Sequence, residues 1–328
     1  LESLPRPFTG QSEYMSIFHA APGIYERHSL GSDERSYKFE VDGVMIQHPV
    51  TGGPILEIGY DAISEIMVDT AAHDASQGAV KGAIMQALTK SGGNRFGGEL
   101  NFYLREHGLQ SDNTEGTPFE GQYVGFRHLY APTVSLGGPI VKDKLWLFGS
   151  LNYHNEKSYA QGYPALSETQ IAVDRTVYTP FLKMTWQITP KDRLMASGYW
   201  QGYYRHHRGA SLYMTEDATA KEDRGGVLST LQWTRTFSND FLFNLKLGYW
   251  NFHQYILAKN EASAYYEYTN NVSSVNQGYD YWGNANRVQV NSDATLYVDD
   301  WGGNHEFRFG ADFELSKDRD GYLGYQDA

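Results

Sequence analysis

The sequence contains no cysteine, which excludes a disulfide scaffold, a thiolate metal site and a cysteine nucleophile. It also lacks any apolar run near the roughly 18 residues that a membrane-spanning helix needs, so a membrane crossing has to be made by a closed barrel. Positive charge is scarce: 27 Lys and Arg stand against 39 Asp and Glu, for a formal charge of -12 at pH 7. With no basic run to offset that balance, nucleic acid is excluded as a partner. No HExxH, GxSxG or Cys/His ligand spacing occurs, so neither a zinc protease nor a serine hydrolase is indicated. The chain is read as a non-enzyme, without cofactor, metal site or catalytic residue. What is abundant is glycine (34), tyrosine (25) and aromatic residues in general (15% of 328), the composition of strands, turns and aromatic girdles.

Up to about Lys90 the segments are short and mixed, such as YKFEVDGVMI and ISEIMVDT, with turn-rich connections such as PVTGGP between them. This pattern predicts a small α/β domain. SGGNRFGG, from Ser91 to Gly98, reads as a hinge, and long alternating segments follow it. The expected division is 1–92 and 93–328.

In the second region Leu100, Phe102 and Leu104 share one face while Glu99, Asn101, Tyr103 and Arg105 share the other, the period-two signature of a strand. The division recurs. Leu147, Leu151 and Tyr153 oppose Ser150, Asn152 and His154, with Trp146 and Phe148 thickening one end. Leu182, Met184, Trp186 and Ile188 oppose Thr179, Lys183, Thr185 and Gln187. Phe241, Phe243, Leu245, Leu247 and Tyr249 oppose Asn244 and Lys246. Phe307, Phe309, Ala311, Phe313 and Leu315 oppose Glu306, Arg308, Asp312 and Glu314.

A soluble β-sandwich would alternate in the same way. Connection lengths favour the barrel: tight turns at VKDK, TPKD, SND and DWGGN alternate with connections of about twenty residues or more, as in outer-membrane barrels. About nine strands are expected, starting near Gly98, Arg127, Leu145, Val177, Arg193, Gly226, Phe241, Asn286 and His305. An odd count leaves an unpaired edge, and a lumen able to hold a plug of about ninety residues calls for about 22 strands. Leu1 also opens without a charged and apolar leader. The expected fold is therefore an all-β transmembrane chain, an antiparallel outer-membrane β-barrel with an N-terminal α/β plug in its lumen, of which the chain supplies part.

Several phrases of the first region resemble the plug of TonB-dependent outer-membrane receptors, especially the Oar-like subgroup with a carboxypeptidase-regulatory-like extension. LPRPFTGQSEYMSIFHAAPGI resembles the plug opening, with its helix and Pro-Gly. FEVDGV resembles the family's strand and turn, followed by Pro49, Gly52 and Gly53, and DAISEIMVDT resembles its next strand. TKSGGNRFGGEL resembles the passage into the first barrel strand, SLGGPIVKDKLWLFGSLNY the second and third strands, and GNHEFRFGADFE a later one. Two departures occur: Gln77 stands before Gly78 where the family usually has Tyr-Gly, and Gln86 where asparagine is common.

The resemblance implies a plug signature at Val41, Asp42, Gly43, Gly78, Gly82, Thr89, Lys90, Ser91, Gly92, Gly93 and Asn94. It implies a multi-pass place in the outer membrane of a Gram-negative bacterium, and import of a large or scarce solute through the plugged barrel. Implied partners are a TonB-type energising complex, lipopolysaccharide and a surface lipoprotein or larger envelope assembly. The TonB-binding box and signal peptide of the family lie upstream of these residues in that reading. The alternative is a barrel used in protein export, adhesion or as an envelope scaffold, and a soluble all-β enzyme is a third reading. For import, polar and exchangeable contacts between plug and lumen wall are expected.

YYRHHRG places Tyr203, Tyr204, Arg205, His206, His207 and Arg208 where a strand enters a long connection. These residues suit an anionic ligand or a metal chelate; the blander reading is a lipopolysaccharide-facing or solvated rim. SGGNRFGG is not a phosphate loop, since no Lys-Ser/Thr pair follows it. DRDG, from Asp318 to Gly321, is read as a turn rather than part of a calcium loop, which would need further ligands. Glu306, Arg308, Asp312 and Glu314 are read first as lumen wall.

Overall fold

The computed structural model describes residues 21–25, 28–29, 34–70, 78, 80, 82–109, 111, 115–117, 120, 126–159, 171–299 and 302–325. Its strands are β1 (Ile24–Tyr25), β2 (His28–Ser29), β3 (Lys38–Val41), β4 (Val44–Met45), β5 (Ile63–Asp69), β6 (Ile84–Thr89), β7 (Gly97–Glu106), β8 (Phe126–Val141) and β9 (Leu145–Tyr159). They continue as β10 (Ala172–Thr189), β11 (Asp192–Arg208), β12 (Ala220–Ser238), β13 (Phe241–Ala258), β14 (Tyr265–Glu267), β15 (Val272–Ser274), β16 (Tyr279–Val298) and β17 (His305–Gly324). Among the described residues the only helical segments are short 3-10 turns, and no helix is long and apolar enough to cross a membrane. The helix expected in the plug opening, Gln77 and part of the DWGGN turn fall outside the described residues.

Two sheets organise the chain. A small mixed sheet has the order β4-β3-β6-β5, and a large antiparallel sheet of nine strands runs β17-β16-β13-β12-β11-β10-β9-β8-β7. In the small sheet β3 and β6 are parallel while β5 and β6 are antiparallel. Asp42 and Gly43 both have positive φ, 49° and 77°, the backbone of a two-residue hairpin between twisted strands, and Asp-Gly is a favoured pair for it. Phe39, Val41, Val44, Ile46, Leu56, Ile63 and Met85 form the buried interior.

The large sheet is an uninterrupted meander, because tight turns alternate with long connections. Its strands start earlier than the hydropathy pattern suggests: Ala172 rather than Val177, Ala220 rather than Gly226, Tyr279 rather than Asn286. Backbone pairing such as Asp174↔His206 and Arg205↔Glu222 carries the ladder past the point where side-chain alternation fades. DRDG is not a turn. It lies within β17, where Asp318 pairs with Ala285 and Asp320 with Gly283, so the backbone ladder overrides the local turn propensity.

Directly opposed residues in an antiparallel pair share a face, so the registers fix the two faces. One face carries Leu100, Leu136, Leu151, Leu182, Phe309 and Phe313, all large, apolar and exposed. A continuous apolar belt of this kind suits lipid and not water. The opposite face meets the small sheet. The small sheet's segments touch both extremes of the large one, through Asp61 to Asn101 of β7 (3.0 Å) and His48 to Asp318 of β17 (3.7 Å). Nine strands at about 4.8 Å spacing would be far too wide for that if flat, so the large sheet curves around the small one.

Candidate functional site

The contact between the two sheets is where the chain's chemistry concentrates. On the concave face Phe181 opposes Tyr199, Tyr199 opposes Leu228, and Leu228 opposes Trp250. These four, with Phe148 and Ala285, join the buried cluster of the small sheet. Trp250 is fully buried, and its indole N–H donates to the Met45 carbonyl at 2.9 Å. Each such apolar side chain contributes about 1.5–3 kcal/mol when removed from water. Along β9 to β13 the contact is therefore mixed, an apolar seam beside the polar ties that Lys183, Gln201 and Arg224 make to the small sheet's segments.

Toward β16 and β17 the contact is polar. The Gln289 amide donates to the Met45 carbonyl (2.6 Å) and accepts from the Met45 N–H (3.1 Å), standing in for a neighbouring strand at the edge of β4. Arg287 pairs with Glu314 at 3.2 Å. Beside them a cavity of about 560 Å³ is lined by Lys38, Glu40, Gln47, His48, Arg287 and Asp312 among others. The His48 Nδ1 accepts from the backbone N–H groups of Val50 and Thr51, both at 3.3 Å. Burial holds its pKa below the usual histidine range; Arg287 acts in the same direction, and Asp318 and Asp320 oppose it. Glu314 and Asp312 thus face this cavity, whereas Glu306 and Arg308 pair with each other at 2.6 Å.

A buried ionic node joins the β3–β4 hairpin to the wall. Lys183 Nζ lies 2.8 Å from the Thr89 hydroxyl oxygen, 3.2 Å from the Thr89 carbonyl and 3.2 Å from Asp42 Oδ2. Thr89 in turn donates to Asp42 from its N–H (3.0 Å) and its hydroxyl (2.6 Å). The Lys183 and Asp42 side chains are 7% and 10% exposed, so neither charge is relieved by bulk water and each depends on the other. Gly43 is favoured here by its φ of 77°, and a Cβ would displace only the mobile end of the Lys246 side chain.

The remaining signature residues separate. Lys90 reaches Glu99 at 3.6 Å, and Gly92 passes against the backbone of Leu147 with no room for a side chain. Asn94 clasps the β8–β9 turn: its Oδ1 accepts from the Asp143 N–H (2.9 Å) and the Trp146 indole (2.7 Å), while its amide bonds Asp143 Oδ1. Val41 is buried in the small sheet. Gly78 has φ 73° and, like Gly93, has open space where a Cβ would stand. Gln86 donates to Glu40 at 3.0 Å within the small sheet.

At the long-connection end a third group of contacts pins Glu57. Its N–H donates to Gln201 Oε1 (2.8 Å), its carbonyl accepts from the Tyr199 hydroxyl, and its carboxylate pairs with Arg224. The Arg224 guanidinium lies 3.9 Å from the centre of the Tyr203 ring. Alongside, Arg175 pairs with Glu156, and Arg208 and Arg205 reach Glu222 at 3.3 and 3.9 Å.

The YYRHHRG residues are thus not brought together. Tyr203 and Arg205 face inward, Tyr204 and His206 outward, and the register shift between Arg205 and Arg208 turns Arg208 back toward Glu222. His207, at φ 55°, lies between the Ala172 carbonyl (2.8 Å) and Glu216 (3.3 Å). Sequence reasoning passed over Glu57, Arg224, Gln201, Trp250 and Gln289. The available signal was a parity break: Trp250 is a large aromatic on the polar face of β13.

A curved antiparallel meander with an exposed apolar belt outside and a small mixed sheet inside is the fold of outer-membrane transporters and receptors. In particular, the chain is 28% identical over 143 residues to the TonB-dependent transporter Oar of Myxococcus xanthus, a match covering 41% of this chain and 13% of that protein. Its fold is similar to the outer-membrane transporter YddB of Escherichia coli, with a TM-score of 0.64, 11% identity, and coverage of 87% of this chain and 41% of that one. It is also similar to the alcaligin outer-membrane receptor FauA of Bordetella pertussis, with a TM-score of 0.63, 14% identity, and coverage of 94% and 45%. A third likeness is to the ferripyoverdine receptor of the outer membrane of Pseudomonas aeruginosa, with a TM-score of 0.62, 12% identity, and coverage of 87% and 36%. No family model matches the chain. The chain spans 13% of the curated relative's length and less than half of each of these structures. These relatives are transporters and receptors, not enzymes.

Proposed function

We propose that the chain is the plug and first barrel part of a TonB-dependent importer, with residues 1–92 as plug and 93–328 as the opening strands of a barrel of about 22. The long connections face outward, and the solute binds there. The observation that carries this reading is a separate small sheet held inside the concave face of the large one by contacts that divide into an apolar seam and exchangeable polar bonds. The Asp42–Thr89–Lys183 node is the element we assign to holding the plug closed, and the Lys90 to Asn94 passage is its hinge. A TonB-type complex on the periplasmic side supplies the pull that frees the plug. The solute is a large or scarce one; the neighbours named for alcaligin and ferripyoverdine support that class without fixing its chemistry.

These 328 residues hold no cysteine, so a single thiol introduced here reports alone once any cysteine elsewhere in the full-length protein is replaced by serine. In the full-length protein in its own outer membrane, Ala87→Cys places a thiol in the buried small sheet. Import requires that labelling of this thiol rise when the inner membrane is energised and fall when the proton gradient is collapsed. Labelling that ignores the gradient overturns import in favour of a scaffold or export role.

A further inference from the structure

Beside the apolar seam, three polar contact groups join the small sheet and its connections to the wall, and they differ in how solvent reaches them. The Lys183 and Asp42 side chains are nearly closed off, at 7% and 10% exposure, whereas those of Arg224 and Glu57 are 28% and 23% exposed. Arg224 lies near the start of β12, directly after a long connection, so a solute arriving from that end reaches it before the buried node. Arg175 and Arg205 are opposed on neighbouring strands of the same face, but Glu156 and Glu222, carboxylates of the wall itself, pair with them. Arg224 differs. Its ion-pair partner, Glu57, lies outside the wall, in the connection between β4 and β5 of the small sheet.

The site also holds donors without acceptors. Gln201 is 1% exposed; its carbonyl oxygen accepts from Glu57, while its Nε2 has no partner, and the buried Nε of Arg224 has none either. A buried donor left unmade costs about 1–3 kcal/mol, so two at one place point to an acceptor that the resting arrangement does not supply. A guanidinium binds carboxylate best in a two-pronged mode. Here Glu57 engages the Nη2 end of the fork, and the Tyr203 ring at 3.9 Å fixes the guanidinium plane.

We infer that Arg224, Tyr203 and Gln201 form a site for a carboxylate group carried by the solute, and that Glu57 of the β4–β5 connection occupies this site until the solute displaces it. The inference rests on the import reading for its purpose, though not for its geometry. A carboxylate entering from the long-connection end takes the Nε and Nη2 donors of Arg224 and the free amide of Gln201. Glu57 is released into water, and one of the three polar ties on the small sheet is lost. Arrival of solute at one end is thereby converted into a looser small sheet, while the Asp42–Lys183 node stays intact.

The test uses the full-length protein in outer-membrane vesicles with citrate as the probe, against sodium chloride at matched ionic strength, and follows backbone hydrogen exchange in residues 54–59. Citrate is expected to speed exchange there by about threefold or more, leaving residues 84–89 unchanged. Glu57→Gln is expected to exchange fast without citrate and to bind citrate about tenfold more tightly, since the internal competitor is gone. Arg224→Lys retains charge without the fork, and is expected to keep residues 84–89 protected while losing most of the citrate response. An equal effect of chloride and citrate, or a full response in Arg224→Lys with residues 84–89 still protected, overturns the proposal. Should exchange respond to citrate while the thiol labelling ignores the proton gradient, the carboxylate site stands and import falls. The converse result removes the site and leaves import.

Discussion

The concave face of the large sheet has two halves that meet the same small sheet in opposite ways. From β9 to β13 it offers Phe148, Phe181, Tyr199, Leu228 and Trp250 beside the polar ties of Lys183, Gln201 and Arg224; from β16 to β17 it offers Arg287, Gln289, Asp312 and Glu314 around a cavity. The strands are alike in length and pairing, so the difference lies in the side chains of one face. An apolar contact has no partner to exchange once broken and must be opened against water, whereas a polar one trades protein bonds for water bonds at small net cost. The small sheet is therefore anchored on one flank and loosely satisfied on the other.

Truncating the anchor is the strongest way to break this comparison. Trp250→Ala is expected to cost about 3–5 kcal/mol of docking, read as the urea concentration at which trypsin begins to cut between residues 90 and 96. A shift no greater than that of a polar-flank variant would mean that the seam is not the anchor. Lys183→Met is expected to cost about 3 kcal/mol by leaving Asp42 buried without its cation, and Asp42→Asn in the same protein to restore much of it. If the double variant is as weak as the single one, the node acts through shape and not charge.

The polar flank should respond less. Gln289→Ala is expected to cost about 1–2 kcal/mol, because it unmakes two bonds to a strand edge that water can partly replace. The smallest effect should come from His48. Its pKa is lowered on folding, so the docked form resists protonation; its contribution is fully present above the unfolded value of about 6.5 and is lost as pH falls through the lower folded value. Docking should therefore weaken in mildly acidic buffer, and His48→Gln should remove that slope. A slope that survives the substitution would assign it to another group.

The large sheet was legible because alternation between lipid-suited and polar residues repeats at period two on strand after strand, and tight turns punctuate it. The same rule explains what was missed. A polar inner face is expected wherever water fills the space, but Phe148, Phe181 and Trp250 face protein instead, and a single sequence does not reveal which part of a concave surface a second body covers. The Asp-Gly hairpin at Asp42 and Gly43 was recognisable from its residues; its partner Lys183, 141 positions away, looked like any polar residue on a strand. Glu57 carried no signal, since its role comes from the wall residues that it meets. DRDG misled because turn propensity is local and the β16–β17 ladder is not.

The clasp of Asn94 on the β8–β9 turn has a consequence for rates. A tether from Lys90 to Phe96 reaches roughly 20–25 Å when fully extended, and with Asn94 fastened the free portion is shorter still. A small sheet pulled off the wall thus remains at an effective concentration on the order of millimolar beside its own docking surface. Return is then an intramolecular search over a few residues, so each excursion of the small sheet from the wall is brief.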